Sequence, residues 1–221
     1  SLLIVNAQLV NEGQITQNDV LIRNGRIEAI GKELSREGVE VLDAQVRHLL
    51  PGMIDDQVHF REPGLTHKGD MATESWAAVA GGITSFMDMP NTVPNALTSE
   101  RLKEKKQLAA GRSAANFAFY LGASNDNLEA IKALNPKDAC GVKVFMGAST
   151  GNMLVDDPEV LEQLFTHAPT LVAAHCEDTP TILENEESYR GIYGDAIPMS
   201  LHPIIRSEAA CYKSSSLALE L

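Results

Sequence analysis

From Leu2 to Asp43 the apolar residues come in short runs separated by turn formers: LLIVNAQLV, DVLIRNGRIEAIG and VEVLDA. Runs of this length, bounded in this way, read as β-strands. Asn24-Gly25, between VLIR and RIEAI, is a hairpin signal because both turn positions favour positive φ. Residues 1–47 are therefore expected to form a small antiparallel sheet. Beyond them the pattern changes. Strand candidates at His48–Ile54, Ile83–Met89, Asn116–Leu121, Gly141–Phe145 and Leu171–His175 recur about every 30 residues, the length of a βαβ unit. Helices with legible ends lie between them. Asp157-Pro158 predicts an N-cap with proline in the first turn, followed by an apolar stripe of Val160, Leu161, Leu164 and Phe165. Leu128, Ile131 and Leu134 repeat that spacing after Asn125–Asn127, and Asn135-Pro136 stops it. Gly81-Gly82 ends a helix containing Trp76 and Val79, and SEAACYKSSSLALEL reads as a last helix.

Five βα units in succession predict an α/β fold with a parallel sheet over residues 48–221. Polar clusters at the strand ends favour a (β/α)8 TIM-type barrel over a doubly wound sheet. A closed barrel takes eight strands and typically ~250 residues, so five units imply an open sheet or a fragment of a longer chain. Either leaves an edge that tends to pair or aggregate.

Composition narrows the function. Lysine and arginine number 18 against 30 acids, a net charge of -12 that repels nucleic acid and anionic membranes. No apolar run is long enough to span a bilayer, and the amino terminus lacks the basic start of a secretory signal. Cys140, Cys176 and Cys211 are odd in number and widely spaced, with no C-x-x-C pair. A disulfide framework or cysteine zinc site is not indicated, and a reducing cytoplasm is expected. The expected partners are a small-molecule substrate and further copies of the chain in a homo-oligomer.

Candidate chemistry sits at the strand ends. Gln57, His59 and Arg61 follow the first barrel strand in DDQVHFREPGL; Asp88, Asn91 and Thr92 follow the second; His175, Glu177 and Asp178 follow the fifth. A single histidine is more often structural than a ligand, but two at strand ends beside a guanidinium suggest metal and carboxylate chemistry. Lys143 lies inside an apolar strand, in CGVKVFMGAST. It is either a lysine snorkelling from the strand end or one whose desolvated amine is modified or paired with a metal-bound group. A neutral amine takes up carbon dioxide to form a carbamate with two donor oxygens. MGASTGN has no phosphate-cradle pattern and reads as a loop, and RLKEKKQ reads as a solvated helix face. His48, His67 and His167 read as structural, while His202 in LHPIIRSEA is a weak candidate ligand.

These segments resemble the dihydroorotases of the amidohydrolase superfamily. PGMIDDQVHFREPG is similar to that family's strand-one signature, GGITSFMDMPNTVPN to strand two, GVKVFMGAST to its modified-lysine strand and LVAAHCED to its strand-five histidine. The resemblance runs nearly end to end, and it implies that residues 1–47 are the β portion of a sandwich-like domain beside the barrel. FREPG with MPNT is fairly specific, since related hydantoinases lack the arginine and allantoinases usually differ at the position of Asn91. The resemblance implies a zinc-dependent cyclic amidohydrolase that reversibly cyclises N-carbamoyl-L-aspartate to L-dihydroorotate, in pyrimidine biosynthesis, at one or two zinc ions. His59, carboxylated Lys143 and His175 would be the metal ligands, and Arg61 and Asn91 would hold the substrate α-carboxylate. Two departures accompany it. Gln57 stands where the family's H-x-H has its first histidine, and the family's catalytic aspartate and next metal histidine would fall beyond Leu221. On that reading the chain covers the first half to two-thirds of the family length and does not turn over substrate alone. A non-catalytic homologue acting as an interaction partner, or a hydantoinase or allantoinase type of cyclic-amide hydrolase, are the alternatives.

Overall fold

The opening apolar runs fold into five strands: β1 (Leu2–Asn11), β2 (Gln14–Arg23), β3 (Arg26–Gly31), β4 (Glu40–Asp43) and β5 (His48–Leu49). This is a computed structural model, and it describes residues 1–149 and 152–221. Thr150 and Gly151, within the MGASTGN loop reading, lie outside the described residues. Strands β1, β2 and β3 pair antiparallel, with Asn24 (φ +50) and Gly25 (φ +72) turning the second hairpin as expected. Strands β4 and β5 instead run parallel to β1, with Leu2–Val5 opposite Glu40–Asp43 and Gln8–Leu9 opposite His48–Leu49. The sheet is thus mixed rather than antiparallel. Alternation along a strand reports its faces, but carries no information about the direction of a neighbour distant in sequence.

The single strand expected over His48–Ile54 is corrected as well. Pro51 offers no N–H to a ladder, and Pro51-Gly52 divides the run, leaving β5 on the first sheet and starting β6 (Met53–Val58) on the second. Two units result, Ser1–Met53 and Ile54–Leu221.

In the second unit β6 is followed by α1 (Met71–Ala80), β7 (Ile83–Asp88), α2 (Ser99–Ala109), β8 (Asn116–Gly122), α3 (Leu128–Lys132), β9 (Gly141–Phe145), α4 (Pro158–His167) and β10 (Val172–His175). Then come α5 (Thr179–Tyr193), a 3-10 turn at Met199–Leu201, α6 (His202–Ile205) and α7 (Glu208–Glu220). The strands lie in sequence order, and β7, β8, β9 and β10 pair in parallel, giving a partial (β/α) barrel. Asp157 caps α4 by accepting from the Glu159 and Val160 amides, and Leu161 and Leu164 are buried beneath it as the spacing predicts.

Strand register sorts the side chains, because residues opposite one another share a face. Phe86 pairs with Phe117, Asp88 with Phe119, and Leu121 with Val142. That face meets the helices: Phe86, Phe119, Leu121, Val142 and Val144 form one core with Leu102, Ile131, Leu161 and Leu164. The opposite face carries Met87 against Ala118, Tyr120 against Gly141, Gly122 against Lys143 and Phe145 against His175. Lys143 and His175 therefore share the inner face of the curled sheet. Among the described residues, no helix is long and apolar enough to cross a membrane.

Candidate active site

The site is built at the carboxyl ends of the barrel strands, starting where β6 runs into its loop. Val58 packs on the helix-side core, and Phe60 is buried with its ring 4.4 Å from that of Phe86. His59 and Arg61 flank that anchored ring in the sequence, just past the end of β6, and both are half-buried. The Phe60 amide donates to Asp88 Oδ1 at 2.9 Å. Asp88 Oδ2 accepts from Lys105 Nζ at 2.6 Å, and the same ammonium donates to the Met89 carbonyl at 2.9 Å. Both side chains of this ion pair are almost fully buried, 2% and 0% exposed.

Lys105 corrects the reading of RLKEKKQ as a wholly solvated face. It lies three residues after buried Leu102, on the same side of α2, and the carboxylate waiting for it belongs to β7. A run of charges hides such a residue because its partner is far away in sequence. Burial pulls the Lys105 pKa down, against the pull of Asp88.

His59 Nδ1 lies 2.8 Å from Asn91 Oδ1. An amide oxygen only accepts, so Nδ1 carries the proton and Nε2 keeps its lone pair for another partner. Burial lowers the His59 pKa, and the positive charges of Arg61 and Lys143 lower it further against the bond to Asn91 and the charge of Asp88. The imidazole is thereby held neutral at pH 7. With its oxygen committed, Asn91 presents its amide N–H groups.

Arg61 sits at φ +68 and is half-buried; among the described residues its guanidinium makes no ion pair. Next to it, the Glu62 carboxylate accepts from the Met71 amide at 2.8 Å and from Arg112 at 2.7 Å, fixing the loop to the start of α1 and the end of α2. The Val93 amide donates to the Pro63 carbonyl at 3.1 Å, joining the loops after β6 and β7. Gly64, at φ +84, makes that approach possible, since a Cβ there would lie 2.0 Å from the Val93 carbonyl oxygen. Gly64→Ala is expected to cost on the order of 1–3 kcal/mol and to lower the melting temperature by about 2–4 °C per kcal/mol. An unchanged melting curve would show that the two loops do not meet there.

Lys143 is 3% exposed, and its Nζ lies 4.9 Å from the centroid of the Phe145 ring. Among the described residues it has no hydrogen-bond acceptor or counterion. Burial depresses its pKa, with Cys176 opposing slightly, so the neutral amine is more accessible than in water. His175 ends β10 with its ring centroid 6.1 Å from that of Phe145. Its Nε2 meets Glu177 Oε2 at 2.9 Å, leaving Nδ1 as the open position, and Arg206 binds the same carboxylate oxygen. Burial raises the Glu177 pKa, but the hydrogen bonds from His175 and Arg206 outweigh it and hold the carboxyl below its ordinary value.

The structure thus joins His59 directly to Asn91, places Arg61 and Lys143 within electrostatic reach of His59, and sets Lys143 and His175 on one face through Phe145. No hydrogen bond among the described residues links His175 to His59. His202 lies exposed in α6, and His48, His67 and His167 are exposed.

A dihydro-orotase-like family model matches residues 46–128, the segment that carries His59, Arg61, Asn91 and Lys105. The dihydroorotase of Methanosarcina acetivorans is 32% identical over 222 residues, 99% of this chain and 46% of that protein. The chain belongs to the dihydro-orotase-like amidohydrolases. The family spans several named activities. An allantoinase of Deinococcus radiodurans is 36% identical over 149 residues, 67% of this chain and 33% of that protein. The solved L-hydantoinase (dihydropyrimidinase) of Arthrobacter aurescens superposes with a TM-score of 0.92 at 26% identity, over 99% of this chain and 49% of that one. The chain spans about half the length of the curated relatives it matches.

Seen as an amidohydrolase, the donor set is two imidazoles, each with one open ring nitrogen, and one buried amine. Among the described residues no three His, Cys, Asp or Glu side chains gather into a metal cage. Zinc takes about four nitrogen, sulfur or oxygen donors, and the Gln57 amide is a poor one. The residues fit a metal once Lys143 carries a carbamate, which turns an amine into an anionic oxygen donor. Sequence reasoning missed Lys105, Arg112 and Arg206. Arg206 follows the LHPII segment that drew attention to His202, and only its contact with Glu177 identifies it.

Proposed function

We propose that this chain supplies the strand-end residues of a dihydroorotase, which joins the terminal ureido nitrogen of N-carbamoyl-L-aspartate to its side-chain carboxyl carbon with loss of water, giving L-dihydroorotate. The reverse reaction opens the ring with water. The observation that carries this reading is an Arg61 guanidinium that makes no ion pair among the described residues and lies within electrostatic reach of His59, the residue that holds the Asn91 oxygen. Together Arg61 and Asn91 offer a bidentate cation and a neutral N–H donor to a carboxylate, the group that dihydroorotate has and hydantoin lacks.

The other residues take complementary roles. His59, kept neutral by burial and fixed in its Nδ1–H form, directs Nε2 outward as a donor atom. Lys143, desolvated and without a counterion among the described residues, is the amine to be carboxylated: nitrogen bonds to the carbon of carbon dioxide and releases a proton. His59, carboxylated Lys143 and His175 would hold one or two zinc ions, which would polarise the ring carbonyl and activate water. Glu177, bound by Arg206, fixes the orientation of the His175 ring.

Two observations favour other readings. The likeness to an L-hydantoinase and an allantoinase supports a different cyclic amide, and Gln57 supports a homologue without catalysis. Ring opening by the full-length protein, measured on L-dihydroorotate, hydantoin and allantoin, separates them. Dihydroorotate is expected to be the preferred substrate. Preference for hydantoin or allantoin transfers the site to that reading, and no turnover of any favours the non-catalytic one.

A further inference from the structure

The loop that bears Arg61 is held on both sides by charges from α2 and the turn that closes it. On the amino-terminal side, Lys105 of α2 binds Asp88, and Asp88 accepts the Phe60 amide immediately before Arg61. On the other side, Arg112, in the turn that closes α2, binds Glu62 immediately after Arg61, at 2.7 Å. The second Glu62 oxygen takes the Met71 amide, and Arg112 also lies 3.9 Å from Asp70, the α1 N-cap. Arg61 itself sits at φ +68, a conformation an arginine does not adopt for its own benefit. It persists because its neighbours are fixed.

Neither cation faces the inner surface of the sheet. Lys105 lies between α2 and the outer faces of β7 and β8, its Nζ 5.1 Å from the Phe119 ring centroid. Neither would touch substrate. An ordinary buried ion pair would hold strands and helices together anywhere along the sheet; these two converge on three consecutive residues, Phe60, Arg61 and Glu62. Asp88 also precedes Met89-Pro90-Asn91, so the same Lys105 contacts secure the start of the Asn91 loop through the Met89 carbonyl.

Resting on the carboxylate-binding role given to Arg61 above, we propose that Lys105, through Asp88, and Arg112, through Glu62, are positioning residues that aim the Arg61 guanidinium at the carboxylate of a cyclic-amide substrate. Helix α2 thereby sets substrate affinity from the far side of the sheet. A small misplacement of a positioned group is costly, on the order of 100-fold for about 1 Å. Losing the Arg112 contact, one of several restraints on the loop, should cost less.

The test uses the full-length protein and the variants Arg112→Ala, Arg112→Lys and Lys105→Met, with steady-state kinetics on L-dihydroorotate and hydrogen exchange of the Phe60 and Met71 amides. Arg112→Ala is expected to raise KM about tenfold and change kcat by less than about threefold, with Arg112→Lys recovering most of the loss. Met71 exchange should quicken in Arg112→Ala, and Phe60 exchange in Lys105→Met. A wild-type KM in Arg112→Ala, or a fall in kcat at constant KM, overturns the proposal. If the wild-type protein does not open dihydroorotate, the functional reading fails on its own, and exchange then decides the positioning claim: unchanged Phe60 and Met71 amides overturn it. Should Lys105→Met not fold, the two Arg112 variants still decide.

Discussion

Arg61→Met in the full-length protein is expected to lower kcat/KM for L-dihydroorotate on the order of 30-fold to a few thousand-fold, equivalent to about 2–5 kcal/mol. The loss should fall mainly on KM. Methionine keeps much of the aliphatic volume and removes the fork that binds two carboxylate oxygens, so the substrate's charge enters the site unpaired. Fold stability should change little, because the guanidinium makes no ion pair among the described residues and the loop is held through Phe60, Glu62 and Gly64. Asn91 and a neutral His59 remain, and neither supplies a positive charge. An unchanged kcat/KM would remove the carboxylate from Arg61 and the main ground for preferring dihydroorotate.

Lys143→Ala should abolish turnover, and its metal content should fall with its activity. The lysine is buried in the middle of a five-residue strand whose residues are all buried, and among the described residues its ammonium has no counterion. A charge so placed is costly. Carboxylation removes that cost by replacing the lone ammonium with an anion that a metal neutralises. Truncation leaves a cavity beside Phe145 and His175, and acetate or propionate diffusing into it is expected to restore part of the metal binding and rate. A snorkelling lysine would behave differently: its truncation would change stability, leave metal content intact and show no response to added carboxylates. Full metal retention in Lys143→Ala therefore counts against the carbamate.

How far the structure could be read from sequence follows the range of the signals. Alternation and turn residues placed β7, β8, β9 and β10 and the capped start of α4 because those signals lie within a few residues of what they determine. The pairing of β4 and β5 with β1 was not legible, since parallel partners joined by long connections leave no local mark. The division of His48–Ile54 was written in Pro51-Gly52, but the apolar residues on either side concealed it. At the site, His59, Arg61, Asn91 and His175 stood out as polar residues at the ends of apolar strands, and Lys143 as a charge inside one. Their supporting residues did not. Lys105 and Arg112 look like surface charges in a charged segment, and Arg206 looks like a loop residue; each acquires meaning only from a carboxylate at least 17 residues away in the chain.

Gln57 is where the chain departs from the motif it otherwise keeps, and it bears on whether this end of the barrel holds metal. Zinc content of the full-length protein, purified without chelator and measured by atomic emission, addresses that directly. About one to two zinc ions per folded chain are expected, bound through His59, carboxylated Lys143 and His175. A natively folded protein that carries no zinc, and takes up none when zinc and bicarbonate are supplied, would contradict a metal-dependent amidohydrolase site at these residues.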